Sequence, residues 1–305
     1  MKFITYKHPT KGEIKVPIDP PLRENFGGRL GMTAGAWVAG ENSKIVFESV
    51  LPSADWREYI FDPEPQFFNI GDTFACTNFA NCNAAKIQLF KQGIKLNFSE
   101  SANAKLSGTQ IGVGNYMDAA AEQTRKDGFI LQADHTNGNS VAEFYRNVPL
   151  DTQKKAIKFN IAYEYVNTEF LEQELKQAPV TIMIKAGSTN HDVVALFEDE
   201  NGIWCFDSYP HGTLDNYMFI TTQVPLAALK IVVKKPMLNL INDNGTYFIA
   251  GDKGKIGIAD PNALAKFQKL TSQSMTGSTA SLPQVGVFKN VNVDKTTNIS
   301  VLGND

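Results

Sequence analysis

Asn190-His-Asp-Val-Val-Ala-Leu-Phe-Glu-Asp-Glu-Asn-Gly-Ile-Trp-Cys-Phe-Asp-Ser-Tyr209 is the stretch on which the reading of this chain turns. Residues 192–198 and 203–207 are rich in β-branched and aromatic residues, and Asn201-Gly202 between them is a strong hairpin turn. Two antiparallel strands follow, with their outer ends side by side: His191 just before the first strand and Asp207 at the end of the second. In that arrangement the carboxylate accepts a hydrogen bond from one imidazole nitrogen and leaves the other to face a nucleophile.

A nucleophile in a suitable setting lies upstream. Across residues 77–92 the apolar positions Phe79, Ala80, Ala84, Ile87 and Phe90 fall near a 3.6 period, and Gly93 stands where a helix C-cap glycine would. Cys76 therefore opens a helix, where unpaired N–H groups and the helix dipole favour an anionic sulfur. A second helix is expected from about Asn115 to Asp127, closed by Gly128. A third follows the capping residues Asn167 and Thr168 and stops at Pro179. Helices come first and strands later, so the fold class is α+β, two unlike halves with a site in the cleft between them. His8 and His211 read as loop residues and His135 sits in a polar stretch, which leaves His191 as the supported histidine.

Composition narrows the function further. With 29 basic against 32 acidic residues and no dense Lys/Arg block, no nucleic-acid partner and no anionic membrane surface is implied. The amino terminus lacks the apolar run of a signal peptide, and no window reaches the length of a membrane span. Cys76, Cys82 and Cys205 are an odd set with no CxxC and no histidine at ligand spacing. Neither a disulfide framework nor a metal site is expected, no cofactor is implied, and a reducing compartment fits. Cys82 and Cys205 read as structural thiols. Residues 1–50, rich in Gly, Pro and small residues, read as an irregular lead. Residues 236–271 read as a small hairpin and helix module, and 272–305 as a polar tail or a strand that needs a partner.

An ordered series of motifs between residues 51 and 235 resembles the papain-like cysteine peptidases. Leu51-Pro-Ser-Ala-Asp-Trp-Arg57 resembles the opening of the mature enzymes, and Cys76-Thr-Asn-Phe-Ala follows 20 residues after Trp56. Val113-Gly-Asn-Tyr-Met-Asp-Ala119 resembles the segment that lies along bound substrate. Leu175-Lys-Gln-Ala-Pro-Val180, Asn190-His-Asp-Val-Val194 and Trp204-Cys-Phe-Asp-Ser-Tyr209 resemble the runs that complete the site. The separation 207 − 191 = 16 equals the family's His-to-Asn spacing.

The resemblance implies a two-lobed fold, helical on the left and antiparallel β on the right, and a cysteine endopeptidase acting on protein or peptide substrates. Cys76 is then the nucleophile, His191 the base and acid, and Asp207 the orienting group. Gly114, Asn190 and Tyr209 flank the substrate, and Gln66, with Asn69 as the alternative, supplies the oxyanion amide. Asp207 stands where the family has Asn, Tyr209 where it has Trp, and no long helical propeptide precedes Leu51. The chain also looks like the compact papain-like proteins of phage genomes, which implies the host cytoplasm or a virion and other virion proteins as partners. A virion structural role with optional chemistry, or a Cys-His-Asp acyl transferase or amidase, are the competing readings.

Overall fold

The structure, a computed structural model, describes residues 1–23, 26–32, 50–61, 64–68, 71–211 and 216–234, together with strand segments between 239 and 301. It divides into Met1–Val233 and Lys234–Asp305.

Two strands open the chain, β1 (Lys2–His8) and β2 (Gly12–Ile18). They correct the reading of residues 1–50 as an irregular lead. Ile4 and Tyr6 on β1, and Ile14, Val16 and Ile18 on β2, turn inward at alternate positions, a period-2 signal outweighed in the sequence by glycine and proline. Residues 33–49 lie outside the described residues.

Three helices follow: α1 (Cys76–Lys91), α2 (Glu100–Ser107) and α3 (Met117–Asp127). α1 and α3 stand where the periodicity places them, closed by Gly93 at φ +77° and Gly128 at φ +88°. α2 escapes the sequence reading because its buried face carries Glu100, Ser101 and Asn103, which leaves no apolar stripe. Its caps are legible: Ser99 Oγ accepts from the Ala102 amide at 3.0 Å, and Gly108 takes φ +80°. The third expected helix is short. Asn167 caps a 3-10 turn at Thr168–Phe170, and an α-helix covers Leu171–Leu175.

The remaining strands of the main sheet are β3 (Asn160–Tyr165), β4 (Val180–Ala186), β5 (Thr189–Asp199), β6 (Gly202–Phe206), β7 (Met218–Thr221) and β8 (Ala227–Lys234). The eight strands form one sheet in the order β1-β2-β7-β6-β5-β4-β8-β3. The run from β7 to β8 is antiparallel, and β2 enters it by parallel pairing of Ile18 with Ile220.

α1 packs between two apolar clusters. On one side Ala80, Ala84 and Ile87 meet Ile182, Ile184, Val194 and Leu196; on the other Cys82, Ala85 and Leu89 meet Phe98, Met183 and Leu229. Each large aliphatic side chain so buried contributes about 1.5–3 kcal/mol. Several polar residues of α1 are anchored as well. Gln88 Nε2 donates to the Ile231 carbonyl at 2.7 Å, Gln88 Oε1 accepts from the Val233 amide at 2.9 Å, and Asn78 Nδ2 donates to Asn103 Oδ1 at 2.9 Å. These bonds fix α1 against β8 and α2, and so fix where Cys76 stands. Trp56, buried, donates from Nε1 to the Leu175 carbonyl at 2.6 Å, and its amide donates to the Leu196 carbonyl at 3.0 Å, which ties the Asp-Trp-Arg segment to the end of the Leu171–Leu175 helix and to the sheet.

In the second unit β9 (Asn239–Asp243), β10 (Thr246–Gly251), β11 (Gly254–Ile258) and β12 (Gln284–Phe288) form a four-stranded sheet in that order. The β10–β11 hairpin is the one expected. The helix expected after Asp260 lies outside the described residues. Within 272–305, expected as a tail or a strand that needs a partner, Gln284–Phe288 pairs in parallel with β11, and Val291–Val293 pairs with Ile299–Val301. Short alternating apolar runs there are obscured by the Ser, Thr and Asn around them.

Candidate active site

Cys76 is the first residue of α1 and fully buried, preceded by Phe74 in the left-handed region at φ +57°. The Phe74 amide donates to Asp72 Oδ1 at 2.7 Å, which holds that turn. His191 lies on β5 opposite Ile184 of β4. Asp207 follows β6, and the hairpin turn at Gly202 (φ +123°) brings it back to the histidine.

His191 Nε2 bonds both carboxylate oxygens of Asp207, at 2.8 and 2.9 Å. Nδ1 has no hydrogen-bond partner, and Cys76 at the start of α1 is near enough to act electrostatically on the ring. Burial opposes charge on this imidazole, but the Asp207 carboxylate, by its charge and its hydrogen bond, together with Cys76, raises the pKa to about 10. Burial pushes Asp207 up, and the two imidazoles His191 and His211 outweigh it and hold the carboxyl well below its ordinary range.

His211 is the residue the sequence missed. Its Nε2 bonds Asp207 Oδ2 at 2.8 Å, the Ser208 amide donates to Oδ1 at 2.6 Å, and the His211 ring leans on Phe219. An acid where the papain-like peptidases have Asn has a physical reason here, because a carboxylate offers two charged acceptor oxygens to two imidazoles, where an amide offers one oxygen and an NH2 that itself donates. A histidine four residues after Asp207 was the available signal.

Tyr209 stands edge-on to His191, with ring centroids 5.5 Å apart, and its hydroxyl donates to Asp72 Oδ2. Gln66 is fully buried: Nε2 donates to Asp72 Oδ1 at 3.3 Å and Oε1 accepts from Ser208 Oγ at 2.8 Å. The structure thus ties Gln66 to the wall beside Asp207. Asn69 lies outside the described residues. Asp192, the neighbour of His191, accepts from Thr77 Oγ1 at 2.5 Å and leaves Oδ1 without a partner. Burial lifts its pKa to about 7 against the Thr77 hydrogen bond and the His191 charge. The expected structural thiols are both buried in apolar clusters, and burial raises their pKa values well above the ordinary thiol range.

The cleft is occupied by the chain itself. Phe26 stacks on the His191 ring with centroids 3.8 Å apart and an interplanar angle of 18°. The Gly28 amide donates to the Asn190 carbonyl at 3.1 Å on one wall. On the other, the Asn115 amide donates to the Gly27 carbonyl, and the Arg29 amide to the Asn115 carbonyl, each at 2.9 Å. The backbone groups that hold this segment are those of Asn190, one of the three positions expected beside a substrate, and of Asn115, the neighbour of the expected Gly114. Cys76 and His191 have no exposed surface beneath it. The Gly27-Gly28 pair was visible in the sequence; its place was not. Among the described residues no group of three or more His, Cys, Asp or Glu could hold a metal, and no helix is long and apolar enough to cross a membrane.

The fold and this arrangement define a class: a two-lobed α+β protein with a Cys-His-Asp line running from the start of a buried helix to the sheet. Among solved structures the chain is similar to xylellain, a cysteine protease from Xylella fastidiosa, at a TM-score of 0.52 and 12% identity over 69% of this chain and 96% of that one. It is also similar to a recombinant stem bromelain precursor, at 0.50 and 16% identity over 66% and 78%. The chain has the papain-like fold. No protein-family model and no curated protein matches it.

Proposed function

We propose that the chain is a cysteine endopeptidase of papain-like design, held latent by its own Phe26–Arg29 segment. The observation that carries this reading is the His191–Asp207 pair, with Nε2 of the imidazole bound to a buried carboxylate, Nδ1 left without a partner, and the buried Cys76 near enough to act on the ring. His191 carries a proton at neutral pH and pairs with the Cys76 thiolate. The thiolate sulfur attacks a peptide carbonyl carbon, and the C–N bond breaks as His191 gives its proton to the leaving amine. His191 then takes a proton from water. The hydroxide so formed displaces the thiolate from the acyl group and releases the acid. The Cys76 backbone amide and the remaining Gln66 N–H are the donors assigned to the oxyanion. Asp207 keeps Nε2 occupied, so that Nδ1 faces the sulfur.

A peptide already hydrogen-bonded to both walls favours a peptide substrate over an acyl donor or a cell-wall polymer. The test uses Phe26→Ala, which removes the ring over His191, with casein as substrate. Hydrolysis that disappears in the Phe26→Ala/Cys76→Ala double variant is expected. A Phe26→Ala protein whose Cys76 reacts with iodoacetamide, yet which cleaves nothing, overturns the peptidase reading.

A further inference from the structure

We propose that this cleft is gauged for glycine: it binds extended peptides that carry a Gly-Gly pair, and the Phe26–Arg29 segment is seated there because it has one. The inference deepens the peptidase reading by naming a substrate class, but its binding half stands apart from turnover.

The gauge is made of backbone. A Cβ placed on Gly27 would lie 2.1 Å from the Phe74 carbonyl oxygen, 2.7 Å from its carbon and 2.9 Å from Gly114 Cα. Side chains do not approach backbone this closely, and no rotamer change relieves it, because none of the three atoms belongs to a side chain. The facing residue is constrained in the same way: a Cβ on Gly114 would fall 1.4 Å from the Gly27 carbonyl oxygen. The second position is less strict. A Cβ on Gly28 would meet the Asn190 carbonyl oxygen at 3.0 Å and Asp192 Oδ1 at 3.3 Å.

The walls are held in place. Phe74 keeps its left-handed conformation, in which a non-glycine residue is strained, with its amide bonded to Asp72. Asp72 in turn receives the Tyr209 hydroxyl. Gly114, at φ +83°, exchanges hydrogen bonds with Gln110, its amide donating at 2.8 Å and its carbonyl accepting at 3.2 Å. Three backbone bonds to Asn115 and Asn190 provide affinity for any extended chain, and the narrow passage provides the selection. On either side of the glycines the occupant has side chains that pack: Phe26 on His191 and Tyr209, and the Arg29 guanidinium 4.3 Å from the Tyr116 ring centroid.

The experiment measures the carbamidomethylation rate of Cys76 by mass spectrometry in the full-length chain, which reads occupancy of the cleft without hydrolysis. Phe26→Ala and Gly27→Ala are each expected to speed labelling over the parent by about tenfold or more, the equivalent of the overpacking or lost stacking removed. If neither variant is faster, the segment does not seal the site and the proposal fails. On the opened Phe26→Ala protein, the free peptide Phe-Gly-Gly-Arg-Leu is expected to protect Cys76. Phe-Ala-Gly-Arg-Leu should need about 10- to 100-fold more peptide for equal protection, and Phe-Gly-Ala-Arg-Leu a smaller excess. Equal protection by the Gly-Gly and Ala-Gly peptides, or none by either, overturns the gauge. Discriminating protection with no peptide cleaved leaves the gauge standing and removes the peptidase reading, so the two failures are separate.

Discussion

Replacing Asp207 by Asn tests the electrostatic centre of the site. The carboxylate touches His191 Nε2 at 2.8 Å with neither group exposed. At an effective dielectric of about 20, that contact between full charges is worth about 6 kcal/mol, roughly four decades in the protonation equilibrium. It explains how a buried imidazole, which burial alone would push below its ordinary 6.5, rises to about 10. In Asp207→Asn that charge is gone while burial and the contribution of Cys76 remain, so the His191 midpoint is expected to fall well below 10. The stability linked to this ring has a definite sign. Its native pKa lies above the unfolded one, so the contribution is complete below pH 6.5 and is lost as pH rises through about 10; over that interval it amounts to about 5 kcal/mol. The depressed Asp207 describes the same contact from the other side and is not added to it. Two-dimensional proton–nitrogen spectra of the imidazole rings, recorded from about pH 5 to about pH 10.5 to bracket both midpoints, read the titration directly. Thermal melts near pH 6 and pH 10 read the stability. A wild-type His191 already neutral at about pH 7.5, or an Asp207→Asn variant whose His191 midpoint stays above about 9, refutes the reasoning.

Three further substitutions have defined outcomes. His211→Ala removes one donor from the buried Asp207 carboxylate and is expected to lower unfolding stability by about 1.5–3 kcal/mol in urea, with an unchanged m-value; a loss under about 0.5 kcal/mol would show that His211 merely sits nearby. Asp192→Asn removes a buried acid whose native pKa of about 7 exceeds the unfolded 3.8, so the wild type loses stability between those values as pH rises. The variant should gain on it by about 4 kcal/mol from about pH 4 to about pH 8, and parallel pH profiles would count against the buried acid. Trp56→Phe strips the N–H donor from the Leu175 carbonyl in a buried setting and should cost about 2 kcal/mol or more in chemical denaturation, against near-neutrality if that bond is unimportant.

Much of the site was legible because its parts are local patterns. A hairpin turn at Asn201-Gly202 places His191 and Asp207 together by strand geometry alone, and a 3.6 period with a closing glycine places Cys76 at a helix start. α2 was hidden because its buried face is polar and its apolar pattern correspondingly weak. β1 and β2 were hidden by a composition that favours turns, although their alternation was present. His211 and Asp192 carry no pattern: each matters through one contact, made by a loop in the first case and by Thr77 in the second.

The sequence by itself determined the α+β class, the order of helix and hairpin, the place of Cys76 at a helix start and the pairing of His191 with Asp207 across the hairpin. These depend on periodicity and on spacing within one element, where neighbours in sequence are neighbours in space. Tertiary structure alone decided that Asp207 serves two imidazoles, that Gln66 is tied to Ser208 and Asp72, and that Phe26–Arg29 fills the cleft. Those contacts join residues up to 183 positions apart, as Phe26 is from Tyr209 (209 − 26 = 183). No local propensity encodes such contacts; they arise when separate elements pack and each buried polar group must find a partner.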